Sequence, residues 1–542
     1  MPEPDDRPAG PFAARFDWHP EPELVGIRDP QVSREALRAA GAATWEAALD
    51  YLYDHAFERA RGEPVDYDDL RASFFGPTGR PAPAPATPTA LAAVLDEFRV
   101  RVAPHTLSAY HPRSYGYFTP PPLVASIAGE VLAQFTQQGI DVWHAGPIGA
   151  FVEEEVVRWL CDLIGYGDDT FGLLTSGGVM ANFIAMTLIR DVHVPAVRGV
   201  NRPPRGRDLE GIRIYTSDQS HFSIGRALDE LGFPAETLVV VPADDDFRLR
   251  GDAVAAAVAR DRREALLPAA IAAVAGSTNT GSIDAAGELA DLAGRERLWL
   301  HVDAAYGAAA RLSPGIAGRV ADLDRADSVT VDPHKWFFQA YDIGGLMVRR
   351  GAHLAAAFGG HMPEYYRGGD RPVPGPAGQT ATSNEARVEA ADDTAREDES
   401  AGHLNFWKLG FEGTRRFRAL KLWLSWKHLG SAGFGRLIEA NVALAAHLAR
   451  RIAEATDFEA LPADPPLSVV CFRHLPAGLD PHELDAHQDR LQAALEASGD
   501  GWLSTTRLRE ATYLRAGIVN TQSDEDDVDA LLDRLRRLAA QV

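Results

Sequence analysis

The amino-acid sequence predicts an α/β fold built on a mainly parallel seven-stranded sheet. Between residues 171 and 348, short apolar runs of strand type alternate with stretches of helical type. This alternation is typical of a parallel sheet covered by helices. The residues up to about 120 show helical and extended segments without such alternation. After about residue 431, helices and strand-like pieces mix, which indicates a small α+β domain.

The predicted strands are short and rich in β-branched and apolar residues. Seven such runs occur, at 171–174, 212–215, 238–241, 270–274, 298–302, 328–331 and 346–348. Stretches with a helical spacing of apolar residues separate most of them, including 179–191, 223–231, 251–262 and 285–294. A large domain is therefore expected over 121–430. Within it, 364–403 is expected to be a mobile loop or a partly disordered insert, because it is poor in apolar residues and rich in Gly, Pro, Asp and Glu.

Two further segments flank this predicted domain. The N-terminal segment, 1–120, is expected to contain a helix over 33–61, a Pro/Ala linker over 76–88 and a helix over 89–102. The buried face of the first helix is predicted to carry Leu37, Trp45, Leu49, Leu52 and Phe57. The C-terminal domain, 431–542, is expected to have helices at 432–455, 481–498 and 524–540 and strand-like pieces at 467–472 and 513–519.

Composition narrows the classes of function. The formal net charge of −23, without an evident basic patch, argues against nucleic acid as a partner. Cys161 and Cys471 are the two cysteines, which favours a reducing compartment and gives no disulfide framework or cysteine-based metal site. The first residues lack the pattern of a signal peptide, and apolar runs such as 266–275 are too short to cross a bilayer. A cytoplasmic protein is expected.

One lysine stands just after a predicted strand. Val329 and Val331 favour a packed strand, and Pro333 cannot continue its hydrogen-bonded ladder. Lys335 follows, between a histidine and a tryptophan. Burial favours the neutral form of a lysine side chain, and a neutral amine can attack a carbonyl group to form a Schiff base. The alternative is an ordinary solvated lysine after a turn.

A second stretch, HVDAAYG at 301–307, favours the first interpretation. Together with DPHKW at 332–336 it resembles the signature of the group II pyridoxal-phosphate (PLP) decarboxylases, the family of aromatic amino acid, histidine and glutamate decarboxylases. Supporting blocks run from about residue 105 to the C-terminus. The resemblance implies fold-type I, PLP as cofactor and decarboxylation of an L-amino acid to the amine, without indicating which one. It also implies a homodimer with a shared active site.

PLP needs a lysine for its aldehyde, an acid for its ring nitrogen, a flat partner for its ring and an anion site for its phosphate. By the resemblance, Lys335 binds the aldehyde and Asp303 pairs with the ring nitrogen. Ala305 is small enough for the ring to lie against it. His221, in the stretch DQSH, matches a family histidine that stacks on the opposite face of the ring, and Thr278 matches a residue on the cofactor's hydroxyl side.

The stretch TSGG at 175–178 matches the phosphate loop of the family. Two glycines before a helix let backbone N–H groups approach an anion, and the helix dipole favours the negative charge. The residues assigned to the phosphate are Ser176, Gly177 and Gly178, with His334 as a further donor. Asp332 stands where the family often has asparagine. Its side chain is not expected to contact the phosphate, because two negative charges repel.

Tyr365 is the candidate proton donor. The mobile catalytic loop of the family has a tyrosine shortly after a proline, and PEYY at 363–366 fits. A phenol there can protonate the carbon that loses CO₂, with Lys335 as the alternative donor. Related aldehyde synthases tend to have phenylalanine at this place, so Tyr365 favours simple decarboxylation. Arg415, in the block GTRRFRALK, matches a family arginine that can be structural.

Several alternatives stay open on the sequence alone. The chain could catalyse another PLP reaction, such as oxidative aldehyde synthesis, transamination or C–C cleavage. A non-catalytic binding or scaffold protein is a further alternative, although the intact set of lysine, aspartate and histidine speaks against it. Asp141 lies near a position that is apolar or aromatic in aromatic decarboxylases, so it could suit a polar or cationic substrate. Tyr117 and Phe118 are expected in the pocket wall or in plain packing.

Overall fold

The computed structural model describes residues 30–62, 66–76, 78–359 and 404–542. The chain divides into two compact units, Met1–Ser108 and Ala109–Val542. The domain boundaries predicted near residues 120 and 430 stay predictions. The segment 364–403 and Tyr365 lie outside the described residues. Among the helices that are described, none combines the length and the apolar character needed to cross a membrane.

The first unit has three described α-helices: α1 (Pro30–Tyr51), α2 (Tyr67–Phe75) and α3 (Leu91–Arg101). The helices α1 and α3 are joined by Arg99, whose Nε lies 2.8 Å from Asp50 Oδ2. Trp45 is 51% exposed, so the prediction that it belongs to the buried face of the first helix is wrong. The neighbouring Ala47 is 3% exposed. In an alanine-rich helix the small side chains allow close packing, and helical spacing alone does not decide which face is covered.

The second unit is organised around a seven-stranded sheet, which confirms the predicted number of strands. The strands are β1 (Phe171–Thr175), β2 (Ile212–Ser217), β3 (Leu238–Val241), β4 (Leu267–Val274), β5 (Trp299–Asp303), β6 (Ser328–Val331) and β7 (Gly344–Val348). Their order across the sheet is β1-β7-β6-β5-β4-β2-β3. All run parallel except β7, which is antiparallel to both neighbours. Val274, Asp303 and Thr330 form one row across β4, β5 and β6.

Helices precede, connect and follow these strands: α4 (Val124–Thr136), α5 (Pro147–Ile164), α6 (Gly178–Leu188), α7 (Val194–Arg198), α8 (Ser223–Glu230), α9 (Gly251–Arg263), α10 (Ala286–Glu296) and α11 (Ala352–Phe358). Helix α6 packs against β6 and β7, and α9 and α10 pack against β4. Every residue of β5 and β6 is buried. Strands covered in this way appear in a sequence as continuous apolar runs, which is why they could be predicted.

The remaining elements form a four-stranded antiparallel sheet with helices. They are α12 (Ala419–Glu454), β8 (Phe458–Ala460), β9 (Val469–His474), α13 (Pro481–Ser498), β10 (Ser504–Leu508), β11 (Ala511–Gly517) and α14 (Glu525–Ala539), and the strand order is β10-β11-β9-β8. Helix α12 bends at Gly430, where φ is 65°. The strands β9 and β11 confirm the two predicted pieces. The strands β8 and β10 were not predicted, because β8 has three residues and β10 is mostly polar.

Candidate active site

The predicted site residues lie at the carboxyl edge of the seven-stranded sheet. Segments that follow β1, β2, β4, β5 and β6 meet there, at the place where open α/β sheets bind ligands. They enclose a cavity of about 380 Å³. The predicted residues that line it are Ser176, Gly177, Gly178, His221, Thr278, Asp303, Ala305, His334 and Lys335. One predicted residue, Tyr365, lies outside the described residues.

Lys335 is presented by a tight turn after β6. Its backbone N–H donates to the Asp332 carbonyl oxygen at 2.9 Å, and both residues line the cavity. Lys335 Nζ lies 3.2 Å from Asp332 Oδ2 and 6.0 Å from the centre of the Phe118 ring. The side chain of Asp332 is 3% exposed and that of Lys335 is 23% exposed. A buried carboxylate therefore holds a partly exposed amine at the cavity.

Asp303 ends β5 and is buried. Its Oδ2 accepts a hydrogen bond from Asn182 Nδ2 at 2.7 Å, and its Oδ1 accepts one from the Ala305 N–H at 3.1 Å. Within the described ranges, no arginine or lysine forms an ion pair with this carboxylate. A buried negative charge held only by neutral donors has room for one cation. The donor set thus fits the protonated ring nitrogen of PLP.

His221 and Ala305 offer surfaces for a flat ring. The His221 ring is half-buried, and its Nδ1 lies 2.8 Å from Ser223 Oγ. Burial lowers the pKa of His221, and the negative charge of Asp303 acts in the opposite direction. Ala305 carries a single methyl group, so a planar ligand can lie close to the backbone there. These two residues fit a pyridine ring above Asp303.

The TSGG stretch connects β1 to α6, as the sequence predicts. A Cβ at Gly178 would lie 2.8 Å from Asp332 Oδ2, so this position has no room for a side chain. The first N–H groups of a helix lack partners within it and can bind a phosphate. His334 Nδ1 lies 2.6 Å from the Ile343 carbonyl oxygen, so this nitrogen carries the proton of the neutral ring. His334 Nε2 therefore donates to a phosphate only when the ring holds both protons.

The aromatic wall of the cavity consists of Phe118 and Tyr306, whose ring centres are 4.1 Å apart. Trp336 continues the stack at 4.7 Å from Tyr306. Phe118 lines the cavity, in agreement with one of the two interpretations given for it. Tyr117 is 63% exposed, and neither it nor Asp141 is among the described residues that line the cavity.

Asn182 is a site residue that the sequence reasoning missed. It lies in the middle of α6, is 1% exposed and lines the cavity. Its amide nitrogen donates to Asp303 Oδ2 at 2.7 Å and to Ser223 Oγ at 2.8 Å. A polar residue inside the apolar segment GVMANFIAMTL was the available signal. Buried polar side chains need partners, and these partners lie at the site.

Arg515, on β11, is a second residue that was missed. It is 3% exposed, and its Nε donates to the Thr278 carbonyl oxygen at 2.7 Å. Its guanidinium lies 4.6 Å from the centre of the Phe118 ring. Burial lowers the pKa of Arg515. Arg515 thus orders two cavity-lining residues. No local signal could have indicated this, because Thr278 is 237 positions away.

Arg415 is not among the described residues that line the cavity and is 2% exposed. Its Nη2 lies 2.5 Å from Glu153 Oε1 and donates to the Leu174 carbonyl oxygen at 2.7 Å. The Leu174 N–H donates to the same Glu153 oxygen at 3.0 Å. This ion pair is therefore hydrogen-bonded to the backbone near the end of β1, just before the TSGG stretch. We infer that it affects the site by holding this backbone in place.

Comparison with known proteins agrees with this geometry. The family model described as "Pyridoxal-dependent decarboxylase conserved domain" matches residues 77–370 and 394–475. The chain is 30% identical over 514 residues to an aromatic-L-amino-acid decarboxylase of Bacillus atrophaeus, which covers 94% of this chain and 97% of that protein. It is 30% identical over 460 residues to an L-2,4-diaminobutyrate decarboxylase of Rhizobium meliloti, which covers 85% of this chain and 84% of that protein.

Solved structures show the same fold. The TDC of Oryza sativa, solved with PLP and tryptamine, superposes with a TM-score of 0.81 at 21% identity over 95% of this chain and 99% of that one. The mouse CSAD superposes with a TM-score of 0.79 at 23% identity over 94% and 99%. The fold-type I architecture, the cofactor and the reaction predicted from the resemblance are confirmed. The chain therefore belongs to the pyridoxal-dependent decarboxylase family, as a PLP-dependent carboxy-lyase that converts an amino acid to the corresponding amine.

Proposed function

We propose that this decarboxylase acts on an aromatic L-amino acid. The observation that carries the proposal is the lining of the cavity, which includes the rings of Phe118 and Phe222. The carboxylates among its described lining residues are Asp303 and Asp332. Asp332 is paired with Lys335, and Asp303 is assigned to the ring nitrogen, so neither is left for a charged substrate side chain. Aromatic rings favour an aromatic substrate through edge or offset contacts.

L-2,4-diaminobutyrate is the second candidate substrate. The relative from Rhizobium meliloti bears that name, and Asp141 could pair with a cationic side chain. A second ammonium group in a cavity requires an opposite charge, because an unpaired buried charge is strongly disfavoured. Asp141 is not among the described lining residues, which favours the aromatic substrate.

The residue assignments follow the parts of the cofactor. When bound, PLP supplies an electron-accepting ring that stabilises the charge left on Cα as CO₂ departs. Lys335 is proposed to bind its aldehyde and Asp303 its ring nitrogen. The other assignments are Ala305 and His221 to the two ring faces, Thr278 to the hydroxyl side, and Ser176, Gly177, Gly178 and His334 to the phosphate.

The proposed proton chemistry uses groups of this chain. Asn182 Nδ2 and the Ala305 N–H donate to the Asp303 carboxylate and hold it where the ring nitrogen of the cofactor is assigned. Asp332 Oδ2 lies 3.2 Å from Lys335 Nζ and holds this amine at the cavity. Lys335 or Tyr365 then returns a proton to the substrate carbon. Tyr365 enters this proposal through the sequence alone.

A cytoplasmic homodimer is the proposed working form. Large apolar side chains are exposed on α4 and at the start of α5: Val124 is 77%, Phe135 71% and Ile148 64% exposed. Apolar surface of this extent is typical of faces that a partner covers. Both cysteines are buried and unpaired, as expected in a reducing compartment. Light scattering after size-exclusion chromatography should give twice the chain mass of 58.6 kDa.

A substrate panel tests the proposed function. The PLP-loaded enzyme is incubated with L-amino acids, and CO₂ and amine are measured. We expect CO₂ and amine in equal amounts from aromatic substrates and none with Lys335→Ala. Lys427→Ala, which removes an exposed lysine, is the matched control and should keep its activity. A preference for L-2,4-diaminobutyrate would overturn the substrate, and an aldehyde product would overturn simple decarboxylation.

A further inference from the structure

We infer that Asn182 is a positioning residue for this reaction, because its one amide holds the Asp303 carboxylate and, through Ser223, sets the tautomer of His221. The inference rests on the proposed roles of Asp303 and His221. It adds that the proton of the neutral His221 ring resides on Nε2, so that this nitrogen donates into the cavity. Asn182 acts through these groups and is assigned no contact with the reacting atoms.

The orientation of the Asn182 amide follows from Asp303. A carboxylate oxygen accepts hydrogen bonds, so the amide group 2.7 Å from Asp303 Oδ2 must be the NH₂. Asn182 Oδ1 then faces His301 Nε2 at 3.0 Å and Thr330 Oγ1 at 2.7 Å. Both of these atoms must donate to it. The second N–H of the amide donates to Ser223 Oγ at 2.8 Å.

His301 is consistent with this assignment. Burial lowers its pKa to about 4, so the ring is neutral at neutral pH and its single proton lies on Nε2, facing Asn182. His301 Nδ1 lies 2.9 Å from Ser328 Oγ, which accepts from Trp299 Nε1 at 2.9 Å. The Ser328 hydroxyl therefore donates to Nδ1. Every proton between Trp299 and Asn182 is thus accounted for by a donor and an acceptor.

The tautomer of His221 follows in the same way. Ser223 Oγ accepts from Asn182, so its own proton is available to His221 Nδ1 at 2.8 Å. The backbone N–H of Ser223 also points to Nδ1, at 3.4 Å. With two donors facing it, Nδ1 is an acceptor, and the proton of the neutral ring is on Nε2.

The charged surroundings of His221 leave its neutral form in place. Asp303 and Asp332 favour the charged ring, whereas Lys335 and Arg226 oppose it. Burial is the largest influence and lowers its pKa. A neutral ring with Nε2–H can donate to a substrate carboxylate, whereas the other tautomer would turn a lone pair toward it. Asn182 therefore links Asp303, assigned to the ring nitrogen of the cofactor, to His221, assigned to one face of the cofactor ring.

The first experiment measures the tautomer in the cofactor-free protein, so that its result is independent of the substrate. Histidine labelled with ¹⁵N is incorporated, and the His221 signals are identified by their loss in His221→Gln. In the parent protein, Nδ1 should show the shift of an unprotonated nitrogen and Nε2 that of a protonated one. Ser223→Ala should mix the two forms, and Ser223→Thr, which keeps the hydroxyl, should restore the parent pattern.

The second experiment measures kcat and KM against pH in the PLP-loaded enzyme. Loss of one hydrogen bond in Ser223→Ala should lower kcat/KM about tenfold and shift its acid limb, and Ser223→Thr should recover most of this loss. Asn182→Ala also removes a bond to a charged group and should lower kcat/KM about a hundredfold. The matched control is Asn520→Ala, since Asn520 is also 1% exposed and donates to the His111 carbonyl oxygen at 2.8 Å.

Two results would overturn the inference. One is an unchanged His221 tautomer in Ser223→Ala. The other is the same shift of the pH profile in Asn520→Ala as in Asn182→Ala, because this would indicate general loosening of the fold. If Asn182→Ala does not fold, the pair Ser223→Ala and Ser223→Thr decides. A protein that shows the expected tautomer but releases no amine would contradict the proposed function alone.

Discussion

Two polar systems of the second unit differ in how they balance charge. The ionic cluster joins four carboxylates to four cations: Glu130, Glu153, Asp342, Glu412, Arg415, Arg416, Arg418 and Lys421. The site relay consists of mostly neutral groups: Trp299, Ser328, His301, Asn182, Asp303, Ser223 and His221. In the ionic cluster every carboxylate faces a cation. In the site relay, the Asp303 carboxylate faces N–H donors and forms no ion pair with any lysine or arginine of the described residues.

This difference separates a structural role from a binding role. A buried charge that has a partner of opposite sign needs no further ligand, and the pair holds together the elements that carry it. A buried charge without a partner is a site for a ligand of opposite charge. The ionic cluster accordingly lies around the end of β1, while the site relay ends at the cavity.

The largest expected effect on stability is in the ionic cluster. Arg415→Met leaves Glu153 buried without a cation, since these side chains are 2% and 1% exposed. We expect the free energy of unfolding to fall by about 3–5 kcal/mol, measured by urea denaturation. The double variant Glu153→Leu/Arg415→Met should recover most of this loss.

An exposed ion pair provides the control for that measurement. Arg325 Nη2 lies 2.5 Å from Asp291 Oδ1, with side chains 39% and 69% exposed. A double-mutant cycle on this pair should give a coupling below about 1 kcal/mol. Equal couplings for the buried and the exposed pair would contradict the view that burial makes the ionic cluster structural.

The next effect is on activity, in the site relay. Asp303→Asn keeps the shape of the side chain but removes the charge that we propose balances the ring nitrogen of the cofactor. We expect kcat/KM to fall by roughly 10²–10³-fold while the free energy of unfolding changes little. Asp261→Asn is the control, because Asp261 is 2% exposed but is paired with Arg260 and the Tyr215 hydroxyl. A loss of activity in the control similar to that in Asp303→Asn would refute the distinction.

The smallest effect is a pH dependence of stability from His301. Its pKa in the folded protein is lowered to about 4, below the unfolded value of 6.5, because burial disfavours the charged ring. The free energy of unfolding therefore has its full value above pH 6.5 and decreases as the pH falls toward 4, by up to about 3 kcal/mol, because the unfolded chain binds a proton that the folded protein does not. His301→Gln should flatten the pH dependence of unfolding, and His428→Gln, an exposed histidine, should not. Equal slopes in both variants would argue against a neutral His301.

The fold could be predicted where local sequence carries the physical cause. The strands β3 and β6 were predicted to the residue, because each is a short run rich in β-branched residues, although β6 is buried throughout and the edge strand β3 is partly exposed. The polar strand β10 could not be predicted, because it lacks an apolar run: Leu508 is buried, and its other four residues are half-buried or exposed. Trp45 was placed on the wrong face for a related reason: an apolar side chain marks a helix face only if another element covers it.

In the candidate site, too, local sequence predicts some residues, while others depend on partners that are distant in the sequence. Asp303 ends one strand, and Lys335 and His221 follow the ends of two others, so their convergence at one edge follows from the parallel order of those strands. The partners that orient the cavity-lining residues come from distant positions: Asn182 is 121 residues from Asp303, and Arg515 is 237 residues from Thr278. No spacing rule connects such pairs.

By itself, the sequence determined the elements of the sheet and the chemical types at their carboxyl ends, because strand formation and chain direction are local properties. Only the tertiary structure decided which charges are balanced and where the protons lie. A hydrogen bond specifies a proton only when both of its atoms are in place, and in this protein those atoms are brought together by folding across more than a hundred residues.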